Sequence, residues 1–174
     1  MMITLQAVPS ARLTRTQVLP GAAGARQSLK IMRSIVLRYR TAPLMMSTAR
    51  QIINLAGIRT RDYPAQVAAI FDWIQTHIAF ARDPRGIDLY MTPDVLLHVG
   101  AGDCDDLAIL FATFLETLGH PTAFMAIQEP GSETFNHVIA LTRIGTKWIC
   151  ADVTDGSHGV GYCPPAINTL VVYL

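Results

Sequence analysis

Cys104, His137 and Asp152 are the residues of this chain whose types, taken together, could do covalent chemistry. A thiolate attacks carbonyl carbon readily, an imidazole can take the thiol proton and return it to a leaving group, and a carboxylate can fix the imidazole's tautomer and steady its charged form. Cys104 stands in Gly102-Asp103-Cys104-Asp105-Asp106, directly ahead of Leu107, Leu110, Phe111, Phe114, Leu115 and Leu118, an apolar pattern at helical spacing. Asp103 suits an N-cap, and Asp106, three positions on, can help to close the first turn. The cysteine therefore opens a helix, where unpaired N–H groups and the positive end of the dipole favour a thiolate and can hold an oxyanion. Asp103, Asp105 and Asp106 act against the thiolate, so a nearby imidazolium is required. Ala108, Ile109 and Ala112 leave that helix almost no polar face, which marks it as central and turns Cys104 toward the protein body. The bland alternative is a cysteine that is only a small buried hydrophobe. It leaves the cap, the flanking glycines and the two partner residues without a reason.

The partners must come from elements that the rest of the sequence supplies. His137 begins the apolar run Val138-Ile139-Ala140-Leu141, and Asp152 ends Trp148-Ile149-Cys150-Ala151. Gly145-Thr146 between them reads as a tight hairpin turn. That turn sets Ile144 against Lys147 and His137 opposite about residue 154, so Asp152 is close enough to reach the imidazole. Singly, a histidine at a strand end is most often a satisfied surface group, and an aspartate before Val153-Thr154 is often only a turn former. The order Cys, His, Asp on helix start, strand and neighbouring strand is what carries the reading.

Strands are expected over 122–128, 136–144, 147–153 and 166–174. Ahead of them come helices over 26–40, from Pro43 to about Ala56, from Pro64 along the face Val67, Ile70, Phe71, Ile74 and Ile78, and from Thr92-Pro93 to about Val99. Residues 2–8 could form a strand, 9–25 read as an irregular arm, and Asp83-Pro84-Arg85-Gly86 as a turn. Helices first and strands afterwards is the α+β order. The expected organisation is a basic N-terminal arm with helices over 1–61 and a catalytic core over 62–174, in one compact domain.

The chain has 174 residues, enough for one domain with a real core, and its apolar runs are too short to span a bilayer. No secretory signal is apparent at Met1 to Arg12, and three cysteines is an odd count, so reduced thiols and a cytosolic setting, or a particle assembled in cytosol, are expected. Charge is divided: residues 1–61 hold ten Lys/Arg and no Asp/Glu, whereas 62–174 hold four against thirteen, or −9. The basic part is expected to dock on the acidic body or on another protein more than on nucleic acid, since Tyr39 is its sole aromatic ring for stacking. No metal or cofactor is expected: Cys150, His158 and Cys163, with Asp152 and Asp155 near, match no compact zinc spacing, and Gly156 to Gly161 is no phosphate loop.

Taken together, Gly102-Asp103-Cys104-Asp105-Asp106, Asn136-His137-Val138 and Trp148-Ile149-Cys150-Ala151-Asp152-Val153-Thr154 resemble the three signature elements of the transglutaminase-like superfamily. The helix with Trp73-Ile74-Gln75 and the segment Thr92-Pro93-Asp94-Val95-Leu96 are also similar to its members, and the resemblance spans about residues 18–158. Leu19-Pro20-Gly21 before an arginine-rich helix resembles small members encoded by tailed phages and prophages. The resemblance implies a papain-like α+β fold, a nucleophile helix packed on an antiparallel sheet, and a Cys104-His137-Asp152 triad working through a thioester. It implies a peptidase or amidase, or an acyl transferase, acting on a peptide or other amide, with phage-particle proteins as further partners through the basic arm. The alternative it leaves is a virion or tail component that keeps the fold without catalysis. Members usually add a side chain to the oxyanion hole; Tyr90, Gln75 and Trp73 are the candidates.

Overall fold

The computed structural model describes residues 19–83 and 89–174. Three helices come first, α1 (Gly21–Tyr39), α2 (Pro43–Leu55) and α3 (Tyr63–His77), then β1 (Ala79–Phe80), α4 (Pro93–Val99), β2 (Ala101–Gly102) and α5 (Cys104–Leu118). Four strands follow, β3 (Thr122–Gln128), β4 (His137–Ile144), β5 (Lys147–Ala151) and β6 (Asn168–Tyr173). This is the α+β architecture expected from the sequence. Two expectations differ in detail. The first helix begins at Gly21 and not near residue 26, and buried Gly24 lies within it. The short parallel bridge of β1 with β2 carried no periodic signal, because two residues per strand are too few to show one. The strand expected over 2–8 lies outside the described residues, as does most of the turn at 83–86.

Helix α5 is the axis of the fold. Its N-terminus is closed by a full capping box, Asp103 accepting from the N–H of Asp105 at 3.0 Å and Asp106 at 3.4 Å while the Asp106 carboxylate accepts from the Asp103 N–H. Its C-terminus turns out through Gly119 at φ 87°, a left-handed position that glycine adopts without a Cβ penalty. Every residue from Asp106 to Leu115 is buried, because α1, α2, α3, α4 and the sheet all pack around it. Phe111 meets Phe71 of α3 edge-on at 6.2 Å, and Phe114 meets Trp73 at 5.9 Å. Leu29, Met32 and Val36 of α1 and Met45, Ala49 and Ile52 of α2 belong to this same apolar cluster.

The sheet is antiparallel in the order β5-β4-β3-β6. Ala126, Ala140 and Ala151 join the helix-side cluster, and such short side chains let α5 come close to the strands. On the other face Ala123, Ile127, Ile139, Leu141 and Cys150 form a second, smaller cluster. From β5 at one edge the chain must cross to β6 at the other, and it does so over residues 152–167. The Gly161 N–H donates to the Cys150 carbonyl at 2.8 Å, and a disulfide joins Cys150 to Cys163 across a Cα separation of 5.3 Å.

That pairing corrects the expectation of reduced thiols. An odd count describes the set of cysteines, whereas the fold returns the crossover to β5 and leaves Cys104 as the free one. The inference from cysteines to a reducing compartment goes with it, and so does the metal-ligand reading of Cys150 and Cys163. No cluster of metal-ligating side chains occurs among the described residues, and none of their helices is long and apolar enough to cross a membrane. Ellman titration of the unfolded protein should give one thiol before reduction and three after, and reduction should lower folding stability by about 3 kcal/mol for a loop of this size. Three thiols without reductant would refute the pairing.

Candidate active site

Position is given to Cys104 by the short bridge before it. The N–H groups of Ala79 and Ala81 donate to the carbonyls of Gly100 and Gly102 at 2.9 and 2.8 Å, so the segment ahead of α5 is held as a strand would be. Gly102 is required for closeness: a Cβ there would lie 2.8 Å from Asp106 Cβ, Asp106 Oδ2 and Leu96 Cδ1. Gly102→Ala should therefore cost roughly 1–3 kcal/mol in a urea denaturation series, since two packed elements would have to part. Full retention of stability would show that the capping residue can move aside.

The hairpin register is the one read from the turn. Ile144 faces Lys147 and Ala140 faces Ala151, which carried onward sets His137 opposite residue 154. His137 Nε2 lies 2.8 Å from Asp152 Oδ2. The other carboxylate oxygen, Oδ1, accepts from the Thr154 N–H at 3.1 Å and the Thr154 hydroxyl at 2.6 Å, so the strand-ending turn fixes the aspartate from behind. Burial opposes charge on the His137 ring, but the hydrogen bond and charge of Asp152 outweigh it, and the pKa is raised. Burial likewise opposes charge on Asp152, yet the bonds from His137 and Thr154 prevail and its pKa is lowered. Both directions describe one charge-assisted pair.

Cys104 and His137 line one cleft of about 270 Å³, together with Tyr90, Asp103, Asp105, Phe135, Asn136 and the start of α1. With Nε2 committed to Asp152, Nδ1 is the ring nitrogen that could serve the thiol. The sulfur's own side-chain contact is with Asp105 Oδ1 at 3.9 Å. Burial pushes the thiol's pKa up, the charges of Asp105 and Asp103 push it further, and the backbone N–H groups of Val138 and Asp105 act the other way without prevailing. The balance left open by the sequence, helix terminus against carboxylates, thus falls to the carboxylates and burial, and the resting thiol is protonated.

Of the three candidates for an oxyanion-hole side chain, Tyr90 lines the cleft. Gln75 instead donates to the Asp155 carbonyl at 2.9 Å, and Trp73 stacks on His77 at 4.5 Å beside Phe114. Two features of the site escaped the sequence. Asp106 Oδ1 accepts from the Met91 N–H at 2.7 Å, which ties the segment carrying Tyr90 to the start of α5. The wall from Leu19, Gly21, Ala25 and Ser28 comes from the start of α1 and a residue just ahead of it, distant in sequence, and no local pattern announces such a contact.

Among solved structures the fold is similar to a candidate protease from Parabacteroides distasonis (13% identity, TM-score 0.58, 71% of this chain and 25% of that one). It is also similar to a candidate cysteine protease from Cytophaga hutchinsonii (19%, 0.56, 86% and 56%) and to calcium-bound LapG of Legionella pneumophila (14%, 0.51, 73% and 73%). The chain thus spans a quarter of the first and just over half of the second. No curated protein matches it in sequence. Identities this low speak to the fold alone, a central helix packed on an antiparallel sheet. A family model matches residues 48–153, well over half of the chain and reaching from α2 past Asp152, and by that match the protein belongs to the transglutaminase-like superfamily.

Proposed function

We propose that this chain is a thiol-dependent hydrolase or acyl transferase acting at amide bonds, with Cys104 as nucleophile, His137 as base and Asp152 as orienter. The observation that carries the reading is the His137–Asp152 pair at 2.8 Å bordering a cleft shared with a cysteine at a helix N-terminus. As the Cys104 sulfur bonds to the carbonyl carbon, its proton passes to His137 Nδ1, and N–H groups at the start of α5 stand where the oxyanion forms. The imidazolium then gives that proton to the departing amine as the C–N bond breaks, leaving a thioester. Water or a second amine, deprotonated by His137, attacks the thioester and frees the thiol. Because the resting thiol is protonated, proton transfer accompanies attack, and no standing thiolate is needed.

A non-catalytic reading, as a phage-particle component that keeps the fold and docks through its basic N-terminal part, draws on one observation: burial and two carboxylates that disfavour the thiolate. An activated ester separates the two. On incubation with p-nitrophenyl acetate, intact-mass spectrometry should show one acetyl group on Cys104, released by hydroxylamine. No labile adduct, with the ester hydrolysed no faster than in buffer, would leave the non-catalytic reading standing.

A further inference from the structure

Cys150 lies in β5 and Asp152 just past its end, two positions on, and the alternation of a strand sets such residues on one side of the sheet. The disulfide from Cys150 to Cys163 therefore stands beside the residue that orients His137. The loop it closes leaves β5 through Asp152 and Thr154, and Thr154 supplies both bonds that hold Asp152 Oδ1. Farther along, the Asp155 carbonyl accepts from Gln75 at 2.9 Å and the Gly161 N–H donates to the Cys150 carbonyl at 2.8 Å, while residues 156–159 are exposed. A covalent bond between the two ends restricts such a loop more than single hydrogen bonds do. The two sulfurs differ in access. Cys150 is buried in the smaller apolar cluster and Cys163 is exposed, so a thiol in solution can reach the disulfide from the Cys163 side.

Resting on Cys104, His137 and Asp152 as the triad, we propose that the Cys150–Cys163 disulfide holds Asp152 in place for His137, so that a dithiol reductant slows reaction at Cys104 without unfolding the chain. One reductant thiolate bonds to the Cys163 sulfur as the S–S bond breaks, and Cys150 leaves as a thiolate that takes up a proton. The second reductant thiol then displaces Cys163. Two electrons have passed to the protein's cysteines, and the reductant ends as its own disulfide. The turn at Thr154 then lacks its covalent tie to the far end of the loop, and Asp152 gains freedom. The charges that act on His137 are those of Asp152, Glu129 and Asp105, and of these only Asp152 follows β5. Opening the disulfide thus weakens one of the three and leaves the other two.

The test uses the full chain, oxidised and again after dithiothreitol and desalting under nitrogen, with thiol titration for the redox state and circular dichroism for the fold. p-Nitrophenyl acetate is the acyl donor, and peptide mapping follows the acetyl group on Cys104 alone. Reduction should slow acetylation of Cys104 roughly fivefold, less than the loss expected of Asp152→Asn, because Thr154 remains. The His137 imidazole, assigned in NMR spectra by its absence from His137→Ala, should titrate at lower pH after reduction, since part of the influence of Asp152 is withdrawn. Cys150→Ala combined with Cys163→Ala should match the reduced chain and ignore dithiothreitol; where that variant does not fold, the two states of the wild-type chain decide. A slower rate with an unmoved His137 titration makes the disulfide a staple of the fold only and overturns the proposal. Equal rates in the two states overturn it as well, as does a native disulfide that resists the reductant. If Cys104 acquires no acetyl group in either state while the His137 titration still shifts, the nucleophile assignment fails and the hold of the disulfide on the His137–Asp152 pair stands.

Discussion

A His137→Ala chain is expected to keep its fold and lose roughly 10³-fold of its rate of acylation at Cys104. The thiol is held protonated by burial and by Asp105 and Asp103, so attack without a base must begin from a rarely populated thiolate. The structure should tolerate the change, because Asp152 keeps both bonds from Thr154 and only its ring partner goes; near-ultraviolet circular dichroism checks this. The dependence on pH carries a sign. His137 must be neutral to accept the proton, and Asp152 raises its pKa, so the rate should climb with pH through a midpoint above the free value of about 6.5. Asp152→Asn removes that charge and should move the midpoint down while costing about 10²-fold. A His137→Ala chain that acylates at the wild-type rate would sink the triad.

Asp106→Asn is expected to change stability in a way that depends on pH. Asp106 is fully buried, and burial pushes its pKa up to about 7; the Met91 N–H opposes this and the Asp103 charge adds to it. An unfolded aspartate ionises near 3.9. Below that value both states hold the proton and the group costs nothing. As pH rises toward about 7 the unfolded state ionises while the folded state resists, so stability falls across this window, and above it the loss is constant. The full shift corresponds to a loss on the order of 4 kcal/mol. Asparagine still accepts the Met91 N–H but cannot also accept from Asp103, a cost of about 1 kcal/mol at any pH. Urea unfolding should therefore find the variant less stable than wild type at pH 4 and level with it, or more stable, at pH 8. A difference that does not vary with pH would show that Asp106 is ionised throughout. Because Asp106 holds the segment bearing Tyr90, loosening of the cleft should follow the same titration.

What the sequence determined by itself was local. Asp103 and Asp106 around Cys104, the apolar stripe from Leu107 to Leu118, and Gly119 after it define α5 with both its ends, because capping and periodicity act within a few residues. The two-residue turn at Gly145-Thr146 fixes the β4–β5 register, and through it the approach of Asp152 to His137, because a hairpin passes its geometry along the ladder. What only the tertiary structure decided was distant in the chain. The crossover's return to β5 paired Cys150 with Cys163 where the cysteine count pointed to free thiols. The N-terminal end of α1 became a wall of the cleft, and the segment at Met91 was drawn to Asp106. The contest between helix terminus and carboxylates over the Cys104 proton turned on burial, which depends on how α5 is enclosed from every side. Desolvation and long-range closure belong to the packed whole, so residue types and their spacing do not fix them.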